Sequence, residues 1–315
     1  MAVPFTQLVA TTYDAVVAEK NKAADQWSDT SALNALESMG GVKRVTGGAT
    51  LQMPLDYRAN SGADFLATDT TATSTSKTDV LTATGPSWAT LVVPTNWSFT
   101  DEALNNGDSK IDLLGSLADN ALTTHDFTIE TAMFATTGGT DGFATFTDLF
   151  STDGNGTVQG IVASTETWWK NQFKDWGTDT GATLLADYNT LYFSCAKGSS
   201  GRQPNVVIAN STLYGSFIAA NQANQRFLDA GEMRTGFKSA YLMNAKYIYS
   251  SVITTAQDSA WMFNTNDTAL HVVKGAFRKR REPVDFGAAA MVNMKIFSVL
   301  QLATRNRSRG GRLFT

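Results

Sequence analysis

Only two histidines, His125 and His271, and one cysteine, Cys195, are available to this 315-residue chain for nucleophilic or metal chemistry. His125 falls on the apolar stripe of a helical pattern and His271 in a strand-like run. Neither has a cysteine or a second histidine at the spacing a zinc site needs, so both are expected to be structural. Cys195 lies on the apolar face of a predicted helix and reads as core. The run Asp153-Gly154-Asn155-Gly156-Thr157 has the oxygen-rich start of a calcium loop, but the later glutamate ligand is missing, and a glycine turn is expected. Trp168, Trp169 and Trp176 could stack on sugar rings, yet their helical spacing favours core or subunit contact. Asp101-Glu102 suits a helix N-terminus, where the macrodipole favours carboxylates, better than acid–base work. No G-x-S-x-G, no Walker A and no G-x-G-x-x-G opening a helix after a strand is present. No residue spacing supports a carboxylate hydrolase, and neither catalysis nor a cofactor nor a metal is expected.

The elements that would position these groups form an α+β pattern without internal repeats or a βαβ rhythm. Residues 1–42 read as an arm, with Val9, Tyr13, Val16 and Val17, and then Leu33, Leu36 and Glu37, at helical spacing before Gly40-Gly41. Residues 43–100 read as a long hairpin. Leu51, Met53, Leu55 and Tyr57 alternate with polar residues, Pro54 marks an edge strand, and Trp88 to Val93 supplies the returning run. Ser61 to Thr84 between them is dominated by Thr, Ser, Ala and Asp. A two-stranded hairpin is marginal in water unless something covers it, which points to a neighbouring copy.

Residues 108–135 carry the clearest helix, with Ile111, Leu114, Ala118, Ala121, His125, Ile129 and Ala132 in steps of three and four. Asp108-Ser109 and Asp112 offer its cap. Residues 138–160 read as a loop. Helices are predicted from Ser164 through Trp176, over Leu184 to Cys195, and after Asn210-Ser211. Strands are predicted at Val206-Val207-Ile208, Tyr241 to Val252 and Ala269 to Val273, and a long apolar strand or strand pair at Ala288 to Ala303.

The chain is 43% hydrophobic and 17% charged, low in charge for a globular protein. Residues 278–315 hold nine basic groups against two acidic ones, a local charge of +7, leaving −11 on the first 277 residues. Opposite charge at two ends of one chain favours contacts between copies, with a nucleic-acid-facing tail as the second reading. A single cysteine excludes an internal disulfide framework. No basic and apolar leader opens the sequence, and no window is apolar enough for a membrane span.

The order of parts (arm, polar-tipped hairpin, strut-like helix, α+β lobe, apolar C-terminal strand) resembles the Hong Kong 97-type coat proteins of tailed bacteriophages. The local runs that carry the likeness are Asn96 to Leu104 entering the helix, Asp153 to Ile161, and Pro204 to Asn210. Trp261 to Thr265 followed by Leu270-His271-Val272, Leu300 to Arg307, and Gly310 to Leu313 complete it. The likeness spans nearly the whole chain with loose motifs. It implies an N-terminal arm (1–42), an extended hairpin or E-loop (43–100), a P domain (101–160 and 256–305, with a spine helix over 108–135) and an A domain (161–255 and 306–315).

It further implies a major capsid protein, not an enzyme, that self-assembles through hexamers and pentamers into an icosahedral virion shell around double-stranded DNA. Assembly would take place in a host bacterial cytoplasm. A separate scaffolding protein, or none, is expected rather than a fused and cleaved one, because the arm starts at Met1 without a charged coiled segment, and a portal is expected as a further partner. On this reading Leu51, Met53, Tyr57, Phe65, Leu66 and Trp88 would be buried against a neighbour. Arg278, Lys279, Arg280 and Arg281 would pair with a neighbour's Asp64, Asp69 or Asp101. Some relatives crosslink a hairpin lysine to a neighbour's asparagine. Lys77 lies near the hairpin tip, but no partner matches by motif, and no crosslink is expected. Two other readings stay open: an encapsulin-like bacterial compartment of the same fold, and a β-rich phage tail or adhesion protein.

Overall fold

The computed structural model of the chain describes residues 27–63, 65, 77–104, 113–136, 142–177, 180–197, 202–222, 240–254, 258–285 and 290–315. Helix α1 (Ser31–Ser38) opens after Asp29, which accepts the Ser31 N–H at 3.0 Å, and Gly40 ends it at φ +72°. Strands β1 (Val42–Val45), β2 (Met53–Asp56), β3 (Leu81–Thr84) and β4 (Ala89–Ser98) follow. Ser98 and Asp101 exchange side-chain and backbone bonds of 3.0 Å to start α2 (Phe99–Leu104). The longest helix is α3 (Leu113–Met133). A Thr145–Asp148 capping box starts the one-turn α4 (Phe146–Leu149), and β5 (Thr157–Val158) pairs with β6 (Ile161–Val162). A 3-10 turn at Thr167–Trp169 leads into β7 (Gln172–Asp175), α5 (Gly181–Cys195) and β8 (Val206–Ala209). Asn210 caps α6 (Ser211–Gln222) by accepting the Leu213 N–H at 3.0 Å. The chain closes with β9 (Ala240–Leu242), β10 (Ala245–Tyr249), β11 (Ala260–Phe263), β12 (Thr268–Val273), β13 (Lys279–Arg280), β14 (Val284–Asp285), β15 (Met291–Thr304) and β16 (Gly311–Phe314).

Two six-stranded sheets organise these elements. The first is built on β15. One edge of β15 pairs antiparallel with β4 from Met291↔Ser98 to Leu300↔Ala89. The other edge takes β12, β13 and β14 end to end, with β1 parallel to β12 beyond. The second sheet runs β7-β16-β11-β8-β10-β9. Its alternating residues feed two cores. Val206, Ile208, Trp261 and Phe263 point to a cluster with Ile129 and Met133 of α3, Phe146, Phe150, and Leu270 and Leu302 of the first sheet. Val207, Ala209, Ala260 and Met262 point the other way, onto Leu184, Tyr188 and Leu191 of α5 and Leu213 and Phe217 of α6. A strand covered on both faces has no polar side to show, which is why β8 is a continuous apolar run.

Several expectations are corrected. The helix expected from Ser164 to Trp176 is a 3-10 turn followed by β7, which pairs parallel with β16 from Gln172↔Gly311 to Asp175↔Phe314. Trp169 is buried with its indole N–H on the Val158 carbonyl at 3.2 Å, while Phe173 is exposed on the alternating strand. The returning partner of β2 is β3, not Trp88 to Val93: Met53 lies opposite Thr84, and the later run belongs to β4 on β15. The loop expected over 138–160 contains α4 and β5. Tyr241 to Val252 is a hairpin turned at Met243, which takes φ +52°. Trp261 to Phe263, placed with residues 256–305, is a strand of the second sheet between β8 and β16. The helical spacing at Val9, Tyr13, Val16 and Val17 and the cap at Asp108, Ser109 and Asp112 lie outside the described residues.

Candidate assembly surfaces

Strands β2 and β3 leave the body as a two-stranded arm whose root is held by its own chain. Leu51 and Met53 pack with Ala303 of β15, with Val45 and Trp88 against them. The Trp88 indole N–H donates to the Gly48 carbonyl at 2.9 Å, and the Thr84 hydroxyl to the Gln159 carbonyl at 2.6 Å. Leu51 and Met53, expected to be covered by a neighbour, are therefore already covered, each 7% exposed. Farther out, Tyr57 lies against Trp168 with ring centroids 5.5 Å apart, and Arg58 sits over the Tyr57 ring. Leu81, Phe65 and Lys77 are exposed, and Leu66 lies outside the described residues. A cleft of about 440 Å³ opens beside this outer part of the arm, lined by Tyr57, Leu81, Trp168, Asp79 and Glu166 among others.

The basic stretch 278–281 divides in two. Arg278, in the left-handed region at φ +51°, turns inward. Its Nε donates to Asp126 Oδ1 at 2.8 Å and its terminal nitrogen to Glu37 at 3.1 Å, which ties the β12–β13 turn to α3 and α1. Its expected pairing with a neighbour is thus replaced by one within the chain. Burial pushes the Asp126 carboxyl up, but bonds from His125 and Arg278 outweigh it and hold the group below the ordinary carboxylate value. Arg280 reaches Asp119 at 4.0 Å, with both side chains half exposed. Lys279 and Arg281 are exposed, and Arg281 lies over the Phe297 ring at 5.0 Å. With Lys295 they line an open groove of about 690 Å³ that also carries Glu282 and Asp285. Of the acids expected opposite them, Asp64 and Asp69 lie outside the described residues, and Asp101 serves the start of α2.

Of the later arginines, Arg307 and Arg312 are buried, Arg309 is partly covered and Arg305 is exposed. Arg307 is fully buried. It donates to the carbonyls of Leu149 at 2.6 Å, Asn155 at 2.8 Å and Gly154 at 3.2 Å, and to the Ser151 hydroxyl at 3.0 Å. Burial pulls its pKa down to about 10 against the raising influence of Asp153. The oxygen-rich turn at Asp153 to Thr157 thus cradles a cation, but the cation is a side chain of the same protein. Beside it, a Cβ on Gly310 would sit 2.0 Å from Phe150 Cε1, so only glycine fits there. Arg305 and Arg309 both reach Asp267 at 3.3 Å, and Arg312 donates to the Ser259 hydroxyl at 2.9 and 3.1 Å.

One constellation escaped the sequence because its members are far apart in the chain. His125 Nε2 lies 2.7 Å from the Ser298 hydroxyl and its Nδ1 3.0 Å from Asp126. The order serine–histidine–aspartate is that of a nucleophilic triad. Here Ser298 and His125 are both fully buried, and the serine oxygen also accepts the Arg278 N–H at 2.8 Å, so no substrate carbonyl can reach it. Glu130, also missed, is buried and caps α1 from α3, accepting the Ala32 and Leu33 N–H groups at 3.3 and 2.9 Å. The signal available was a charged residue interrupting an apolar stripe. Burial raises its carboxyl. Burial likewise pushes the Cys195 thiol up to about 12, despite Lys197, and lowers His271 to about 4. Among the described residues no group of three or more metal-ligating side chains gathers, and no helix is long and apolar enough to cross a membrane.

No protein-family model and no curated protein matches the sequence. Solved structures do. The capsid of a native GTA particle matches at TM-score 0.66 and 14% identity, covering 96% of this chain and 99% of its own. The capsid chain of cyanophage A-1(L) matches at TM-score 0.65 and 11% identity, covering 90% and 92%. The SrpI encapsulin of Synechococcus elongatus matches at TM-score 0.58 and 9% identity, covering 96% of each. The chain therefore has the fold of the tailed-phage capsid proteins, the Hong Kong 97-type α+β fold.

Proposed function

We propose that the chain is a structural shell protein, the major capsid protein of a tailed phage, which closes an icosahedral shell of hexamers and pentamers around double-stranded DNA. The observation that supports this most is the end-to-end likeness to capsid chains, arm and body together. The geometry agrees with it. Among the described residues, a body with two cores carries an arm of two strands, with both edges of that ladder open and exposed apolar side chains at Leu81 and Phe65. Such a ladder gains its stability by lying on another surface. The division into N-arm, E-loop, P domain and A domain belongs to the same proposal, as do a scaffolding protein, a portal and assembly in the host cytoplasm. The likeness to an encapsulin supports a second reading, a protein compartment without a genome.

The test is to express the full chain and image it by negative-stain electron microscopy after size-exclusion chromatography. Closed shells, or rings of five and six, are expected, and nucleic acid inside native particles would favour the phage over the compartment. A fixed small oligomer at every concentration would move the weight to a tail or adhesion protein. Replacing residues 60–77 by a tight turn keeps β2 and β3. It should leave a folded body that forms no particles, and normal particles from that variant would remove the arm from the mechanism.

A further inference from the structure

We infer that the cleft beside the outer part of the β2–β3 arm is a receptor for cationic side chains, and that its occupant is the Lys279–Arg281 segment of a second copy. The inference rests on the shell reading and adds to it the pair of surfaces that meet. The cleft, about 440 Å³, has Tyr57, Leu81 and Trp168 as apolar walls and Asp79 and Glu166 as its charges, with no lysine or arginine among the described residues of its lining. Glu166 is held in place by the Trp168 indole N–H at 2.6 Å. The Tyr57 ring already takes a guanidinium from its own chain, with the Arg58 carbon 5.4 Å from its centroid and Nε bonded to the Asp79 carbonyl at 2.8 Å. Carboxylates beside aromatic faces form the environment in which arginine binds best, through ion pairing and stacking together.

The complementary surface is on the same chain but cannot reach the cleft. Strand β13 pairs with Phe297 and Ile296 of β15, whereas the arm's root packs on Ala303. Six residues of strand, about 20 Å, separate β13 from that root, and the cleft lies farther out along the arm. Lys279 and Arg281 form no ion pair among the described residues, while Arg278 and Arg280 do. Two complementary patches that cannot meet within one chain generate a head-to-tail contact, the kind that propagates into rings or larger assemblies.

The test is charge exchange in the full-length chain, read as particle yield by sedimentation and negative-stain microscopy, with the thermal transition as the folding control. K279E/R281E and D79K/E166K should each lower the yield by about tenfold or more, because like charges then face each other. The four substitutions combined should restore particles. Wild-type yield from either single exchange, or a combined variant that folds but does not assemble, overturns the inference while leaving the shell reading in place. Should D79K/E166K fail to fold, D79N/E166Q replaces it, and a yield unchanged from wild type overturns the inference equally. A wild-type chain that forms neither shells nor rings of five and six, alone or with its scaffolding protein, removes both readings.

Discussion

Arg307 and Arg281 belong to the same basic C-terminal segment and live in opposite surroundings. Around Arg307 the protein supplies three carbonyls and a hydroxyl within 3.2 Å, and leaves the guanidinium no contact with water. Around Arg281 it supplies the face of Phe297 and an open groove. The same contrast separates the second sheet, whose middle strands are covered on both faces, from the β2–β3 arm, a ladder with no third strand among the described residues. Interior charge here closes the chain on itself, and rim charge is left for something outside it. The two kinds of region should therefore respond to substitution in opposite ways, one in folding and the other in assembly.

The largest folding effect is expected at Arg307. Arg307→Met leaves the carbonyls of Leu149, Gly154 and Asn155 buried without a donor, and should cost about 3–5 kcal/mol in denaturant unfolding. Lysine should not rescue it, because a point charge cannot span acceptors arranged for a planar fork. A loss below about 1 kcal/mol would mean that water replaces the guanidinium, and the division between closed interior and open rim would lose its clearest member.

A pH effect of intermediate size is expected at His271, which stands opposite Lys43 and Gln301 in the first sheet, with Arg305 nearby. Burial, then Lys43 and Arg305, lower its pKa from 6.5 to about 4, so the folded chain disfavours the imidazolium that the unfolded chain accepts. Its contribution to stability is complete above pH 6.5 and declines as the pH falls towards 4, by up to about 3 kcal/mol. The denaturation midpoint of His271→Gln should depend less steeply on pH across that window. An unchanged slope would place the titrating group elsewhere.

How far these regions were legible follows from what each pattern encodes. The run Val206-Val207-Ile208 announced a strand covered on both faces, and Asn210-Ser211 announced the helix after it, because both signals are local. The spacing of Trp168, Trp169, Gln172, Phe173 and Trp176 suggested a helix, yet a tight turn followed by a strand carries the same residues. The deciding contact is with Gly311 to Phe314, far along the chain. The arm's pairing was misassigned because Leu81 to Thr84 presents three exposed residues and one buried, which is no apolar stripe. Charge was the least legible of all. A count of basic residues treats Arg278, Arg281 and Arg307 alike, and only the folded carbonyls and acids around each one separate them.

The smallest folding effect is expected at the rim. Arg281→Gln removes a charge that stacks on one partly covered ring and pairs with no acid among the described residues. Exposed positions of this kind change stability by about 0.5 kcal/mol or less. If the rim charge is directed outward, the same substitution should nevertheless lower particle yield, and the defect relative to wild type should shrink as salt is raised, since screening weakens the exposed ion pair that wild type makes. Thermal denaturation and sedimentation of one preparation at two ionic strengths measure both effects together. A marked loss of stability would show that Arg281 belongs with Arg307 to the interior. Intact folding with intact assembly at both salt concentrations would show that its charge serves neither region.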